Sequence, residues 1–233
     1  MIQTVFLILL LSCLTYAKEP IHYRGTAYTP NTRELLYTDE YREYYSDKGV
    51  LSAEVTYRDP SQNIIARKDI KYNSGYSTPS FTISNHYFGS IESIIVSNNT
   101  VSLVSKASKH AAVKKKTIRL PENPVIDAGF HYFVLSNWDL LIQKNTLPFS
   151  YVMPKTLKTV TLEIKEINRS IWNERNTIEF HIEPKNRVLK LFVAPIILRY
   201  DFIRKDLLSF EGLSNINFLS GPKRIYLEID TYL

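Results

Sequence analysis

Cysteine is almost absent from this chain. Its one cysteine, Cys13, follows the first apolar run of the 233 residues, so no internal disulfide framework exists. Glycine is scarce too, with 7 residues. That scarcity argues against phosphate-cradling loops, where glycine lets backbone amides approach an anion closely. Catalytic signatures of fixed spacing are missing: there is no H-E-x-x-H, paired C-x-x-C, G-x-S-x-G, Walker loop or G-x-G-x-x-G. Gly212-Leu213-Ser214 starts like a nucleophile elbow but lacks the closing glycine and reads as a turn. The apolar runs Val5 to Leu11 and Val188 to Leu198 both fall short of the roughly 20 residues a membrane-spanning helix needs. These gaps give the expectation of a non-enzymatic protein with no cofactor and no metal.

What the chain does hold points to an exported β-rich domain. Met1-Ile2-Gln3-Thr4, the apolar run to Leu11 and the small residues Thr15 and Ala17 form a signal-peptide pattern over residues 1–17, with cleavage before Lys18. Leu10-Leu11-Ser12-Cys13 also resembles a lipobox, so a lipoprotein anchored at Cys13 is the alternative to soluble export. Cleavage after Ala17 leaves no cysteine, which suits a bacterial periplasm better than an animal secretion. The sequons at Asn98 and Asn168 would matter only in a eukaryote. A net charge of +6 permits contact with anionic surfaces; nucleic acid is not an expected partner of an exported chain.

Aromatic residues make up 12% of the sequence, with 16 tyrosines, and favour sheets in which rings pack across strands. Short alternating segments follow one another from Ile21 onward. In Val50–Arg58, Leu51, Ala53, Val55 and Tyr57 share one face, with Ser52, Glu54, Thr56 and Arg58 on the other. Val160, Leu162 and Ile164 share a face, as do Ile178, Phe180 and Ile182, and Ile225, Leu227 and Ile229. Hairpin spacing makes the sheet antiparallel. No repeat or long polar linker interrupts residues 18–233, which form one domain.

One helix stands out midway, over residues 127–145. On a helical wheel Phe130, Phe133, Val134, Trp138, Leu140, Leu141 and Ile142 cover an arc of roughly 200°. Tyr132, Ser136, Asp139 and Gln143 form the narrow polar strip. So wide an apolar face suits a curved sheet that grips the helix from several sides. Asp127 is placed to cap the first turn, Asn145 to take the left-handed stop, and Gly129 to admit another backbone. About ten strands in one domain curl or close. The expected fold class is therefore mainly β: a strongly curved antiparallel sheet or half-barrel with the helix across its concave face. A closed barrel and a two-sheet sandwich are the rivals.

Two readings of the helix face lead to different functions. It is plain core, or Phe130, Phe133, Val134, Trp138 and Leu141 line a pocket for a lipid or acyl chain. Glu179, His181 and Glu183 share one strand face with ligand chemistry for a divalent cation, although the opposite face is apolar and an exposed polar ladder explains them better. His131, four residues from Asp127, could pair imidazole with carboxylate, which fits local capping. The densest basic stretch holds Lys106, Lys109, His110, Lys114, Lys115, Lys116 and Arg119. Lys109, Lys114, Lys115 and Lys116 are the candidate contacts with an anionic membrane surface, against the plainer reading of a solvated hairpin rim.

Asp127-Ala128-Gly129-Phe130 with Phe133-Val134 and Trp138, then Tyr200-Asp201 and Phe210-Glu211-Gly212-Leu213-Ser214-Asn215-Ile216, resembles a family of uncharacterised exported bacterial β-rich proteins. The resemblance covers most of the mature chain and implies no agreed activity, so it carries over no catalytic residues. In architecture, a curved sheet around helical elements is similar to periplasmic lipoprotein carriers, by fold analogy alone. The expectation is a periplasmic protein binding an apolar or amphipathic ligand. The alternative is an envelope adaptor that engages a protein partner or anionic surface through strand edges and the basic hairpin.

Overall fold

A computed structural model describes residues 19–218 and 221–232. The signal segment 1–17 and Cys13 lie outside the described residues. Among the described residues fifteen strands form one sheet, where about ten were expected. The first half is an antiparallel meander: β1 (Ile21–Tyr28), β2 (Leu35–Ser46), β3 (Gly49–Arg58), β4 (Ile64–Lys71), β5 (Ser80–Asn85), β6 (Ser90–Ser97), β7 (Thr100–Lys106) and β8 (Lys114–Arg119). A short link leads to β9 (Pro124–Val125), then two helical pieces, α1 (Gly129–Ser136) and α2 (Trp138–Leu141). The second meander follows: β10 (Leu147–Met153), β11 (Lys158–Trp172), β12 (Arg175–Pro184), the short α3 (Arg187–Lys190), β13 (Ile196–Asp201), β14 (Leu207–Leu213) and β15 (Arg224–Tyr232).

The first and last strands pair along the middle of the sheet, from His22 opposite Tyr232 to Tyr28 opposite Tyr226. The two meanders spread from that seam to the edges β8 and β9. β9 pairs with β10 in parallel, and every other neighbour is antiparallel. Although only residues 120–123 separate β8 from β9, those edges do not pair, and the curved sheet stays open. Phe149 lies in the core of the second half, whereas Val152, on the other face of β10, is buried in the core of the first. β10 is thus covered on both faces.

The meander has two ends. Turns β1–β2, β3–β4, β5–β6 and β7–β8 emerge at one end, together with connections β10–β11, β12–β13 and β14–β15. There the β14–β15 loop folds inward: Ile216 is buried, Asn217 donates to Ser90 Oγ at 3.0 Å, and Phe218 packs on Tyr37. The helix and the β2–β3 and β4–β5 connections lie at the other end, which forms the mouth.

The sheet face expected for β3 holds for Ala53, Val55 and Tyr57 but not for Leu51. Tyr44 pairs with Ser52 and Tyr45 with Val50, so Leu51 is an extra residue in a bulge. The bulge shifts the alternation by one, burying Val50 and turning Leu51 out.

The helix is broken where one continuous rod over 127–145 was expected. Asn137 Nδ2 donates to the Phe133 carbonyl at 2.8 Å, a local bond that bends the backbone between α1 and α2. Asp127 does not cap the first turn. Its backbone is left-handed, with φ of 43°, and its carboxylate turns to Lys68. At the far end Lys144, not Asn145, takes the left-handed stop, while Asn145 Nδ2 donates to the Leu140 carbonyl at 2.9 Å. Gly129 does mark a close approach: a Cβ there would stand 2.2 Å from the Ser77 carbonyl oxygen. The Ile126 amide donates to that same oxygen at 2.9 Å, pinning the helix start to the β4–β5 loop.

Candidate functional site

Five tyrosines and a carboxylate converge at the mouth. Odd-numbered residues of β2 face inward, as Gly25 opposite Asp39 and Tyr23 opposite Tyr41 show, and this places Glu43 on the inner face near the strand end. Tyr23 comes from β1, Tyr45 from β2, Tyr72 and Tyr76 from the β4–β5 connection, and Tyr132 from α1. The rings of Tyr72 and Tyr132 meet edge to face with centroids 5.2 Å apart, and Tyr76 lies 5.5 Å from Tyr132. Tyr76 donates its hydroxyl to the Lys48 carbonyl at 2.5 Å, tying the loop to the β2–β3 hairpin. A cavity of about 260 Å³ opens beside these rings, lined by Ser46, Lys48, Val50, Leu51, Tyr72, Gly75 and Tyr76. The bulge at Leu51 gives it an apolar wall.

Glu43 is buried beneath the rings and accepts the Tyr45 hydroxyl at 2.7 Å. Burial pushes its carboxyl above the usual range, while the Tyr45 and Tyr23 hydroxyls pull the other way. The phenols respond in kind. Tyr23 is pushed up to about 12 by burial and then by the Glu43 charge. Tyr45, Tyr72 and Tyr132 are raised by burial first and by Glu43 second. These rings stay neutral. Tyr72 and Tyr76 line the cavity, with the apolar Val50 and Leu51 and the polar Ser46 and Lys48, and Glu43 does not border it. Such a lining suits a ligand with both apolar and polar parts.

Deeper in the first half lies a buried ion pair. Lys68 of β4 is 0% exposed, bonds to the Asp127 carboxylate and sits over the Phe81 ring at 5.0 Å. Asp39 is buried nearby. Burial raises its carboxyl to about 6, against the pull of the Gly25 backbone amide and the Lys68 charge. Burial likewise raises Glu92, on the inner face of β6, with the Lys155 charge opposing. The interior of this half is therefore polar at its centre, and the helix start is anchored there through Asp127.

The residues expected to line a ligand pocket fall mostly into packing. Val134, Trp138 and Leu141 are buried against Phe149, Ile164, Ile178, Phe180 and Tyr200 in the second-half core. Trp138 meets Phe180 and Tyr200 edge to face at 5.8 Å from each. Phe130 and Phe133 are half-buried and pack on Phe149, Phe130 also on Tyr151. None of the five borders the cavity at the mouth; Tyr132, assigned to the polar strip, is the helix residue that reaches its tyrosines. Ser136, Asp139 and Gln143 are exposed, as is Leu140.

His131 does not pair with Asp127. It stacks on Tyr200, centroids 5.8 Å apart, and burial lowers its pKa to about 4. Glu179, His181 and Glu183 lie on the outer face as part of an ion-pair ladder. Glu179 takes His181 and Arg199, and Glu183 takes Lys165 and Lys190. Lys109 is exposed on the β7–β8 turn, and Lys114, Lys115 and Lys116 are exposed on the open edge strand β8.

Two features of the site escaped the sequence reading although a signal existed. Lys68 stands between Ala66 and Ile70 on one face of an alternating strand, a cation where the pattern demands an apolar group. Asp39 and Glu43 share the inner phase of β2 with Tyr37 and Tyr41. The acidic character of that segment concealed that two of its acids point inward.

No protein-family model and no curated protein matches the sequence. Among solved structures, the fold is similar to the crystal structure of a β-barrel-like protein of a domain of unknown function, DUF1849, from Brucella abortus. The likeness covers 93% of this chain and 100% of that one, with a TM-score of 0.54 and 7% sequence identity. The molecule accordingly shares a barrel-like β architecture with that protein.

Proposed function

We propose that this is a non-enzymatic, exported protein of the bacterial periplasm that binds an apolar or amphipathic ligand, such as a lipid or acyl chain, at the tyrosine-lined mouth of its half-barrel. The observation that carries this reading is the cavity of about 260 Å³ between the β2–β3 hairpin and the β4–β5 loop. The Val50 and Leu51 side and the rings of Tyr72 and Tyr76 offer apolar surface. The hydroxyls and Lys48 offer polar contacts to a head group. The N-terminal signal pattern supports the proposed location.

Titration of the purified protein with a fluorescent fatty acid, paired with native mass spectrometry after mixing with lysophospholipid, tests the reading. Saturable binding weakened about tenfold or more by Leu51→Lys or Tyr76→Ser, in variants whose melting stays cooperative, supports it; both positions are exposed. Absence of binding to either probe sinks it.

The open edge strand β8 favours a second reading, an envelope adaptor that pairs a partner strand there. Lys114, Lys115 and Lys116 on that edge discourage unspecific pairing and demand an acidic partner. Replacing all three with Glu would abolish partner capture and leave fatty-acid binding intact.

A further inference from the structure

The end of the half-barrel opposite the mouth carries an unusual surface. Between β12 and β13 the chain does not continue as the apolar segment that its composition suggests. It turns through α3 and leaves Val188, Leu189, Leu191, Phe192 and Val193 exposed, Leu191 by 80% and Phe192 by 81%. Isolated apolar residues on a surface need no explanation, but five within six consecutive positions form a contiguous patch.

The loop is built rather than loose. Asn186 Oδ1 accepts the Val188 and Leu189 amides at 2.9 and 3.2 Å. Lys190, the one polar residue inside the run, reaches back to Glu163 and Glu183 on the outer face of the sheet. The single charge of the run is thus neutralised and turned inward, and its neighbours project.

The unpaired charge beside this loop is positive. Lys185 and Arg187 are exposed beside it and form no ion pair among the described residues. Lys109, on the β7–β8 turn, is exposed at the same end of the meander, whereas Lys155, on the β10–β11 turn, donates to Asn217 Oδ1 at 2.8 Å. Projecting large apolar side chains with unpaired cations beside them match the layering of an anionic bilayer, where headgroup charge lies just above acyl carbon.

We propose that this end of the protein docks on an anionic lipid surface. Leu191 and Phe192 enter the headgroup–acyl boundary, and Lys185, Arg187 and Lys109 meet the lipid phosphates. Docked this way, the protein presents its tyrosine-lined mouth to the aqueous side. The surface is independent of the ligand site and does not rest on ligand binding there.

Co-flotation of the protein, without its first 17 residues, with vesicles of phosphatidylglycerol and phosphatidylethanolamine tests the proposal, with vesicles of phosphatidylcholine alone as the neutral arm. Binding to the anionic vesicles, at least tenfold weaker to the neutral ones, is the expected result. The double variant Leu191→Ser, Phe192→Ser should reduce the anionic partition about tenfold or more, since each side chain loses its burial in lipid. Lys185→Glu with Arg187→Glu should reduce it and flatten its salt dependence. Failure of the unaltered protein to float overturns the proposal, as does full retention of binding in the Leu191, Phe192 variant. A concentration-dependent dimer in solution that the same variant dissociates overturns it too, by assigning the patch to a second copy of the chain.

Discussion

Asp39 occupies the space that a side chain at residue 25 would need. The two residues face each other in the β1–β2 register, and a Cβ on Gly25 would stand 2.0 Å from the Asp39 Oδ1. Gly25 is therefore present for close approach, with the buried carboxylate folded over the neighbouring strand. Replacing an interior strand glycine by alanine ordinarily helps. Here Gly25→Ala is expected to destabilise by about 1–3 kcal/mol, the usual cost of overpacking. Urea unfolding of the four proteins of a cycle with Asp39→Ala checks it. The cost should shrink when Asp39 is already truncated; an equal cost in both backgrounds would place the clash elsewhere, for instance at Leu227 Cδ1.

Asp39 also links stability to pH. Its folded pKa of about 6 exceeds the ordinary 3.8 because burial disfavours the charged form. Between those values the folded state holds more protons than the unfolded one, so this group's contribution falls as pH rises from 3.8 through 6. Above 6 the cost is complete. Asp39→Asn should therefore stabilise the protein at pH 8 by up to about 3 kcal/mol, with the advantage disappearing as pH approaches 3.8. Thermal melts of both proteins from pH 4 to 8 measure it, and parallel profiles would refute it.

His131 works in the opposite sense. Its folded pKa, about 4 against 6.5, is depressed by burial beside Tyr200, so the folded state keeps the ring neutral. From pH 6.5 down to 4 the unfolded chain takes up a proton that the folded chain refuses, and stability is lost as pH falls through that window. The loss is up to about 3 kcal/mol, reduced by solvent at the partly exposed ring. His131→Phe keeps the stack and should hold stability flatter between pH 6.5 and 4. A variant as acid-sensitive as the original over that range would contradict the assignment.

The helix shows how far periodicity carries. The 3.6-residue spacing identified Val134, Trp138 and Leu141, which are buried, but it put the exposed Leu140 in the same arc. It could not report the break at Asn137, which depends on one side-chain bond to the Phe133 carbonyl. Nor could it report what packs against the face: a filled core and a ligand pocket demand the same residues. The cavity at the mouth depends on a bulge at Leu51, and a bulge shows only when the partner strand is known. Residues 188–193 pose a related problem. Their composition matches a buried strand, and only the tertiary placement shows that they stay exposed among the described residues. The curved open sheet was legible because it follows from many short alternating segments, each weak alone.

The Lys68–Asp127 pair should behave as a coupled unit. Each partner is withdrawn from water, so removing either strands the other in a poorly solvating interior. Lys68→Met is expected to cost about 3–5 kcal/mol. Asp127→Asn should cost at least as much, since it leaves the 0% exposed Lys68 ammonium unpaired, whereas Asp127 retains some exposure when Lys68 is removed. Asparagine tolerates the left-handed backbone, so the cost reports the charge. The double variant should be more stable than the sum of the singles predicts, by about 1–3 kcal/mol. Additive costs in chemical denaturation would show that the two charges are not energetically joined.

Gly129 offers the sharpest check on how the helix is mounted. In an ordinary first turn, Gly→Ala would gain up to about 1 kcal/mol of helix propensity. Here the added methyl would meet the Ser77 carbonyl carbon at 2.5 Å and its oxygen at 2.2 Å, both backbone atoms that cannot rotate away. It would also approach Pro79 Cδ at 2.9 Å. Relief requires moving the helix start off the β4–β5 loop, which strains the bond from the Ile126 amide to the Ser77 oxygen. Because the loop carries Tyr76 and flanks the cavity, that displacement reaches the mouth. Gly129→Ala should lower stability by about 1–3 kcal/mol despite its better propensity. Hydrogen exchange should rise at the Ile126 amide, while amides of the β11–β12 hairpin stay protected. A variant that melts at or above the original temperature, with Ile126 unchanged, would mean that α1 is not held against that loop.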